Sequence, residues 1–192
     1  MALVIPSIEA TKAVNFHRQD SLVVSTSSSL REWNTISTRR DLDVDLTDCM
    51  DRAPAVGLGL ALARPGDKVL VLDCDATLRT DMACMATIAE SNPENLVHFV
   101  FDDSSNKSTG GTPIQGLDHV DLMSMANGAG YAKTYEFDKL EEFLIGMEDI
   151  MKQPGPIFVL VKVFREEEIL PFPERTMAEG FAEVRNNLLA KG

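Results

Sequence analysis

The chain has 192 residues, of which 44% are hydrophobic and 25% are charged, and its formal net charge is −12. This composition is typical of a folded globular protein, and the length suits one domain. The acidic balance argues against nucleic acid or an anionic membrane surface as a partner, and no apolar run reaches the roughly 20 residues of a membrane span.

In chain order, residues 1–12 lack the basic start and the long apolar stretch of a secretory signal, so a cytoplasmic location is expected. An apolar run at 22–24 predicts a buried strand, and the hydroxyl-rich segment 25–29 that follows it is predicted to be a loop. The alternating aspartates of segment 41–45 resemble the start of a calcium-binding loop. Such a loop needs glycine at its sixth position and glutamate at its twelfth, but the chain has Leu46 and Arg52 there. The segment is therefore interpreted as an exposed edge strand. The small apolar residues of 53–63 predict a tightly packed helix.

The remaining predicted strands and helices alternate along the chain. Short, nearly continuous apolar runs rich in β-branched residues predict strands buried on both faces at 69–72, 96–101 and 157–161. Helical patterns of apolar residues predict helices over 81–90, 140–150 and 177–188. This alternation predicts an α/β fold with a parallel sheet flanked by helices on both faces.

Several catalytic and metal-binding motifs are absent from the sequence. The three cysteines include no CxxC pair and the three histidines no HExxH, so neither a disulfide framework nor a zinc site is expected. The GxSxG and Walker patterns are missing as well. Gly57-Leu58-Gly59 is only half of a dinucleotide-binding fingerprint, and its position inside a predicted helix indicates close helix packing instead.

Polar side chains follow three of the predicted strands, at 25–29, 73–77 and 102–109. Ligands of parallel sheets bind at the carboxyl ends of the strands, so we expect these sets to meet at one edge. Asp75 and Asp103 offer the hard oxygen ligands that Mg²⁺ uses together with phosphate groups. The simpler alternatives are a helix N-cap in the second set and a polar turn in the third. Two such turns at one edge favour a shared metal–phosphate site.

A family resemblance rests on five segments of the chain. In order they read GLGLALARPGDKVLVLDCDATL, ATIAESNPENLVHFVFDD, KSTGGTP, GAGYAKT and PGPIFVLVKV. These segments resemble the diphosphate-binding domain of thiamine-diphosphate enzymes, and within them phosphonopyruvate and sulfopyruvate decarboxylases most. The resemblance extends over residues 20–165, and it implies thiamine diphosphate and Mg²⁺ as cofactors.

The resemblance also implies a set of site residues. By the family's metal motif, the side chains of Asp75 and Asp103 and the carbonyl oxygen of Ser105 bind Mg²⁺. Met50 is implied to hold the cofactor bent, and the carbonyl of Asp48 to accept a hydrogen bond from its amino group. The full set implied to bind the cofactor is Ser27, Ser28, Asp48, Met50, Cys74, Ala76, Thr77, Ser108, Gly110 and Gly111.

The chain departs from the family pattern at several of these positions. Other residues stand where the family has glycine: Ser27, Asp48, Asp51, Cys74 and Ala76. Asp103 stands where the family has asparagine. Glycine permits positive φ and close ligand approach, and a carboxylate beside a diphosphate repels it unless the metal compensates.

The resemblance implies the function of the diphosphate-binding subunit of a thiamine-diphosphate-dependent decarboxylase, acting on a small anionic 2-oxo acid of the sulfopyruvate or phosphonopyruvate type. The replaced glycines favour an alternative, a non-catalytic paralogue with a structural or regulatory role. A generic acidic nucleotide-binding α/β domain is a more distant alternative.

The length of the chain bears on its partners. In this family a glutamate on a separate pyrimidine-binding domain activates the cofactor, and 192 residues leave room for the diphosphate-binding domain only. Residues 1–192 are therefore expected to form one domain, and the activating glutamate is expected on a partner subunit. The resemblance thus implies a hetero-oligomer or a homo-oligomer.

Overall fold

The computed structural model describes residues 4–105, 110, 112, 114 and 119–191. Its strands are β1 (Ile5–Pro6), β2 (Leu22–Thr26), β3 (Asp43–Leu46), β4 (Val69–Cys74), β5 (Leu96–Asp102), β6 (Lys133–Phe137) and β7 (Ile157–Phe164). Its α-helices are α1 (Ser7–His17), α2 (Ser27–Ile36), α3 (Ala53–Ala63), α4 (Asp75–Leu78), α5 (Ala83–Ser91), α6 (Leu122–Ala129), α7 (Leu140–Lys152) and α8 (Met177–Lys191). Single 3₁₀ turns lie at Arg40–Leu42 and Met50–Arg52.

The strands form one seven-stranded sheet, in the spatial order β1-β7-β5-β4-β2-β3, with β6 also paired to β7. Every pairing is parallel. The central strands β2, β4 and β5 are buried along their whole length, which explains why their sequences are continuous apolar runs rather than alternating ones. The predicted α/β fold with a parallel sheet is confirmed.

Helices cover both faces of the sheet, as predicted. One core cluster joins α3, α5, α6 and α8 to one face, and a second joins α1, α2 and α7 to the other. The close packing predicted for α3 is found at Gly57, where an added Cβ would lie 2.3 Å from Cγ2 of Val71 in β4. In the part of the chain that the structure describes, every helix is too short or too polar to cross a lipid bilayer.

Segment 25–29 is not a loop, contrary to the prediction from its hydroxyl-rich composition. Ser25 and Thr26 end β2, and Ser27 begins α2 directly. Ser27 has a φ of 55°, in the left-handed region, and this turns the chain from strand to helix without connecting residues. Trp33, which is fully buried, packs α2 against the sheet.

Strand β3 lies at the edge of the sheet, as predicted for this segment, but its aspartates are buried rather than exposed. Arg18 Nη1 lies 2.8 Å from Asp43 Oδ1, and Arg175 Nε lies 2.8 Å from Asp45 Oδ2. The side chains of both aspartates are at most 1% exposed. Helix α8 packs against β3 as well, so a helix and ion pairs together cover this edge strand.

Candidate functional site

Four strand ends meet at the carboxyl edge of the sheet. Strands β7, β5, β4 and β2 are successive neighbours in a parallel sheet, so the residues that follow them lie side by side. These residues are Arg165 after β7, Asp103 after β5, Asp75 after β4 and Ser27 after β2. The structure thus brings together the polar sets that the sequence places at strand ends.

Among the acidic residues at this edge, Asp75 has the fewest hydrogen-bond partners and counter-ions in the described part of the chain. It begins α4 and is fully buried, yet neither of its carboxylate oxygens meets a hydrogen-bond partner among the described residues. Burial, followed by the negative charges of Asp102 and Asp103, raises the pKa of Asp75 from 3.8 to about 8. Buried polar groups in folded proteins are almost always partnered, so two open oxygens here indicate a site for a proton or a cation.

Asp102 and Asp103 already have partners. Lys162 Nζ lies 2.5 Å from Asp102 Oδ2. Burial opposes ionisation of Asp102, but hydrogen bonds from Lys162 and Ser104 together with the ammonium charge outweigh it, so the pKa of Asp102 is lowered. Asp103 Oδ1 accepts hydrogen bonds from N and Oγ of Ser105, at 3.0 and 2.9 Å. Ser105 therefore holds the carboxylate that the sequence assigns to the metal.

Arg165 is a site residue that the sequence reasoning missed. Its Nε lies 3.0 Å from Asp103 Oδ2 and its Nη1 lies 2.6 Å from Glu32 Oε1. Its Nη2 donates to Ser29 Oγ at 3.3 Å and lies 3.8 Å from Cys74 Sγ. The available signal was its position: Arg165 directly follows the apolar run of β7, a fourth strand end at the same edge.

The start of α2 lies at this edge, and its N-cap side chain does not cap the helix. Thr26 is the N-cap residue, but its hydroxyl donates to the carbonyl of Met50 at 2.8 Å and does not cap the helix. The first turn holds no acidic residue. Ser27 is buried, and Ser28 is half-buried. A helix start whose N-cap side chain points elsewhere, with a favourable dipole and no acidic residue in its first turn, is suited to an anion such as phosphate.

The start of α4, which carries Asp75, is fixed by a buried polar network. Asp73 Oδ1 accepts hydrogen bonds from the backbone N–H of Cys74, at 2.8 Å, and from the hydroxyl of Thr77. On its other side, Asp73 Oδ2 lies 3.4 Å from Nε2 of His98, whose Nδ1 lies 3.1 Å from the Tyr131 hydroxyl. Cys74 has a φ of −117°, an extended conformation that does not require glycine.

The residues predicted to face the organic part of the cofactor lie after β3. Asp48 is exposed, and Met50 is half-buried in the 3₁₀ turn Met50–Arg52. Asp51 Oδ2 lies 3.2 Å from Nη2 of Arg52. Neither aspartate has the positive φ that a glycine position would favour. Since β3 pairs with β2, this group lies next to the start of α2.

The predicted glycine-rich segment is described only in part. Ser108 and Gly111 lie outside the described residues. Gly110 has a φ of 88°, and an added Cβ would meet no atom of the described residues within 4 Å. Backbone conformation rather than space therefore requires glycine at this position. Ala76 lies in α4 and is half-buried.

The residues present fit a divalent cation through Asp75. Within the described ranges, no three His, Cys, Asp or Glu side chains are arranged to hold a metal ion. The set predicted from the sequence has two carboxylates and one carbonyl, and Mg²⁺ commonly fills its remaining positions with phosphate oxygens and water. The buried, unpartnered oxygens of Asp75 are the observation that favours a cation.

Comparison with known proteins identifies relatives of this chain. Residues 28–161 match the model of the thiamine pyrophosphate enzyme C-terminal TPP binding domain. Phosphonopyruvate decarboxylase of Streptomyces viridochromogenes is 33% identical over 142 residues, which are 73% of this chain and 35% of that protein. Sulfopyruvate decarboxylase subunit beta of Methanocaldococcus jannaschii is 33% identical over 104 residues, which are 54% of each chain.

A solved structure gives the same picture of the fold. Thiamine diphosphate-dependent 4-hydroxybenzoylformate decarboxylase of Rhodococcus jostii RHA1 matches with a TM-score of 0.70 at 14% identity, over 88% of this chain and 34% of that chain. The chain spans between 35% and 54% of the length of the two curated relatives.

Proposed function

The chain belongs to the C-terminal TPP binding domain family of thiamine pyrophosphate enzymes, and on that basis we propose that it is the diphosphate-binding subunit of a thiamine-diphosphate-dependent decarboxylase. The proposed substrate is a small anionic 2-oxo acid of the sulfopyruvate or phosphonopyruvate type, because relatives that are 33% identical carry those names. In this proposal residues 1–192 act as a single diphosphate-binding domain.

The buried carboxylate of Asp75 is the observation that supports the proposal most. Its two oxygens have no partner among the described residues, and a divalent cation would both pair with them and offset the neighbouring charges of Asp102 and Asp103. In our proposal Asp75, Asp103 and the Ser105 carbonyl hold Mg²⁺, and the metal joins the diphosphate to the sheet edge.

Other residues of the chain then bind and orient the cofactor. The start of α2, at Ser27 and Ser28, would receive diphosphate oxygens at the positive end of the helix dipole, and Cys74, Ala76 and Thr77 would line the opposite side. Thiamine diphosphate supplies the electron sink that decarboxylation of a 2-oxo acid requires, while the protein contributes binding, orientation and electrostatics.

Three further positions implied by the resemblance lie apart from the metal. Met50 and the Asp48 carbonyl, next to α2, support the organic part of the cofactor in this proposal. In this proposal the backbone of Gly110, with its φ of 88°, lies beside the cofactor.

We further propose that the activating glutamate comes from a pyrimidine-binding domain on a partner subunit. One relative is named a beta subunit, which supports a second kind of chain in the assembly. The surface that faces this partner is expected to include Met50 and Gly110.

Calorimetric titration with thiamine diphosphate and Mg²⁺ tests the proposal, carried out with and without a co-expressed pyrimidine-binding chain. We expect Asp75→Ala to abolish Mg²⁺-dependent binding and to leave the fold intact. Asp67→Ala is the matched control, since Asp67 precedes β4 at the opposite edge of the sheet, and it should bind like the wild type.

Decarboxylation of sulfopyruvate and phosphonopyruvate is then assayed with the same samples. We expect turnover from the two chains together and none from this chain alone. Failure of the wild type to bind the cofactor in either sample would refute the proposal and favour the non-catalytic paralogue. Equal affinity of the wild type and Asp75→Ala would refute the assigned role of Asp75.

A further inference from the structure

Arg165 occupies a central position at the carboxyl edge. Its side chain is 5% exposed and makes ion pairs with Glu32 of α2 and with Asp103 after β5. The same guanidinium reaches Ser29 in the first turn of α2 and Cys74 at the end of β4. One cation therefore ties together the strand ends and the helix start between which the proposed diphosphate site lies.

The acidic residues at this edge differ in how many hydrogen-bond donors and cations they pair with. Lys162 pairs with Asp102, and Arg165 pairs with Asp103. Glu32 accepts hydrogen bonds from the hydroxyls of Ser7 and of Thr11, the latter at 3.1 Å, in addition to its ion pair with Arg165. Glu32 thus keeps two neutral donors without Arg165, whereas among the described residues Asp103 would keep only the donors of Ser105.

We infer that Arg165 is a positioning residue for the proposed diphosphate site: it cancels the charge of Asp103 and fixes the carboxylate beside the start of α2, so that an anion can bind there. This inference rests on the proposed function, and it assigns to Arg165 a role in binding without direct contact with the cofactor. An opposite charge within a few ångströms is the strongest available means of offsetting a carboxylate next to an anion.

A second buried arginine–aspartate pair provides the matched control. Arg18 pairs with Asp43 at 2.8 Å, and both side chains are at most 4% exposed. Asp43 is the first residue of β3, so this pair lies at the amino edge of the parallel sheet, away from the proposed site. Loss of either pair removes a buried ion pair, but only loss of the Arg165 pair changes the charge beside the bound anion.

The test measures the affinity of the chain for inorganic pyrophosphate at saturating Mg²⁺ by calorimetry, together with the thermal unfolding temperature of each variant. We expect Arg165→Gln to weaken binding by about tenfold or more, as for a lost charge partner at this range. Asp103→Asn should tighten binding at saturating Mg²⁺, because asparagine keeps a side-chain oxygen for the metal, removes the negative charge and leaves the Arg165 cation. Arg165→Gln combined with Asp103→Asn should recover most of the affinity, and Arg18→Gln should lower the unfolding temperature without changing affinity.

The outcomes separate this inference from the proposed function. No binding of pyrophosphate by the wild type would overturn both. Binding by the wild type with no recovery in the double variant would overturn the inference alone, as would a loss of affinity in Arg18→Gln equal to that in Arg165→Gln. If Arg165→Gln does not fold, Asp103→Asn still decides the matter, since unchanged or weaker binding by that variant contradicts a role of charge at this position.

Discussion

The raised pKa of Asp75 makes a prediction about stability as a function of pH. Its value of about 8 in the folded chain compares with an ordinary value of 3.8. A group whose folded pKa is raised binds its proton more tightly in the folded state, so ionised Asp75 destabilises the fold increasingly as pH rises from about 4 to 8. The shift corresponds to a destabilisation on the order of 5 kcal/mol above pH 8.

The isosteric variant Asp75→Asn removes this titration. Without metal, we expect its free energy of unfolding to exceed that of the wild type by several kcal/mol at pH 8.5 and to approach it near pH 4, where Asp75 is protonated in the folded state and about half protonated in the unfolded state. Mg²⁺ should stabilise the wild type at pH 8.5 and not the variant, because the cation replaces the proton on the carboxylate.

Urea unfolding at pH 4, 6 and 8.5, in EDTA and in Mg²⁺, checks this expectation. Asp121→Asn is a control of opposite sign, because hydrogen bonds from the side chain and backbone of Ser124 lower the pKa of Asp121. Ionised Asp121 therefore stabilises the wild type at high pH, and this stabilisation is lost as pH falls. A difference between Asp75→Asn and the wild type that stays constant across pH would refute the reasoning, and so would equal stabilisation of both by Mg²⁺.

Two further predictions concern the replaced and retained glycines. Asp48→Gly combined with Asp51→Gly should tighten thiamine diphosphate binding in the presence of Mg²⁺ and the partner chain, since a gain of 1.4 kcal/mol is about tenfold; weaker binding in a titration would show that these aspartates take part in a divergent site. Gly57→Ala should lower the free energy of urea unfolding by about 1–3 kcal/mol, because its Cβ would lie 2.3 Å from Val71 Cγ2. Gly59→Ala, whose Cβ meets nothing within 4 Å in the part of the chain that the structure describes, is the control and should gain stability.

The sequence was sufficient for the parts of the fold that its apolar pattern determines. Strands β4, β5 and β7 are buried on both faces, so their continuous runs predicted them, and the small residues of α3 predicted its packing on the sheet. Strand β6 was not predicted, because its residues 133–137 are half-buried or exposed and include Lys133 and Glu136. Helix α2 was missed because its first turn consists of serines, which are typical of loops as well as of helix starts.

The full pairing of the buried charges could not be predicted from the sequence, because it includes arginines far along the chain. Asp45 pairs with Arg175, and Asp103 pairs with Arg165. From the neighbouring sequence, Asp45 is typical of an exposed edge strand, and Asp103 is typical of a polar turn. Only the sheet topology brings the arginines to them, and those arginines lie in a segment that looks like an acidic connection between β7 and α8.

The substitutions at the family's glycine positions have different physical consequences, and the structure separates them. Ser27 keeps the left-handed conformation, with a φ of 55°, so a non-glycine residue carries the strain that the turn from β2 to α2 requires. Cys74, with a φ of −117°, carries none. Asp103 adds a charge that Arg165 offsets locally, whereas Asp75 has no counter-ion among the described residues and ionises only at a raised pKa of about 8. The decision between a decarboxylase subunit and a paralogue without cofactor therefore rests on Asp75, since a chain that no longer bound a cation would gain stability by replacing this one carboxylate.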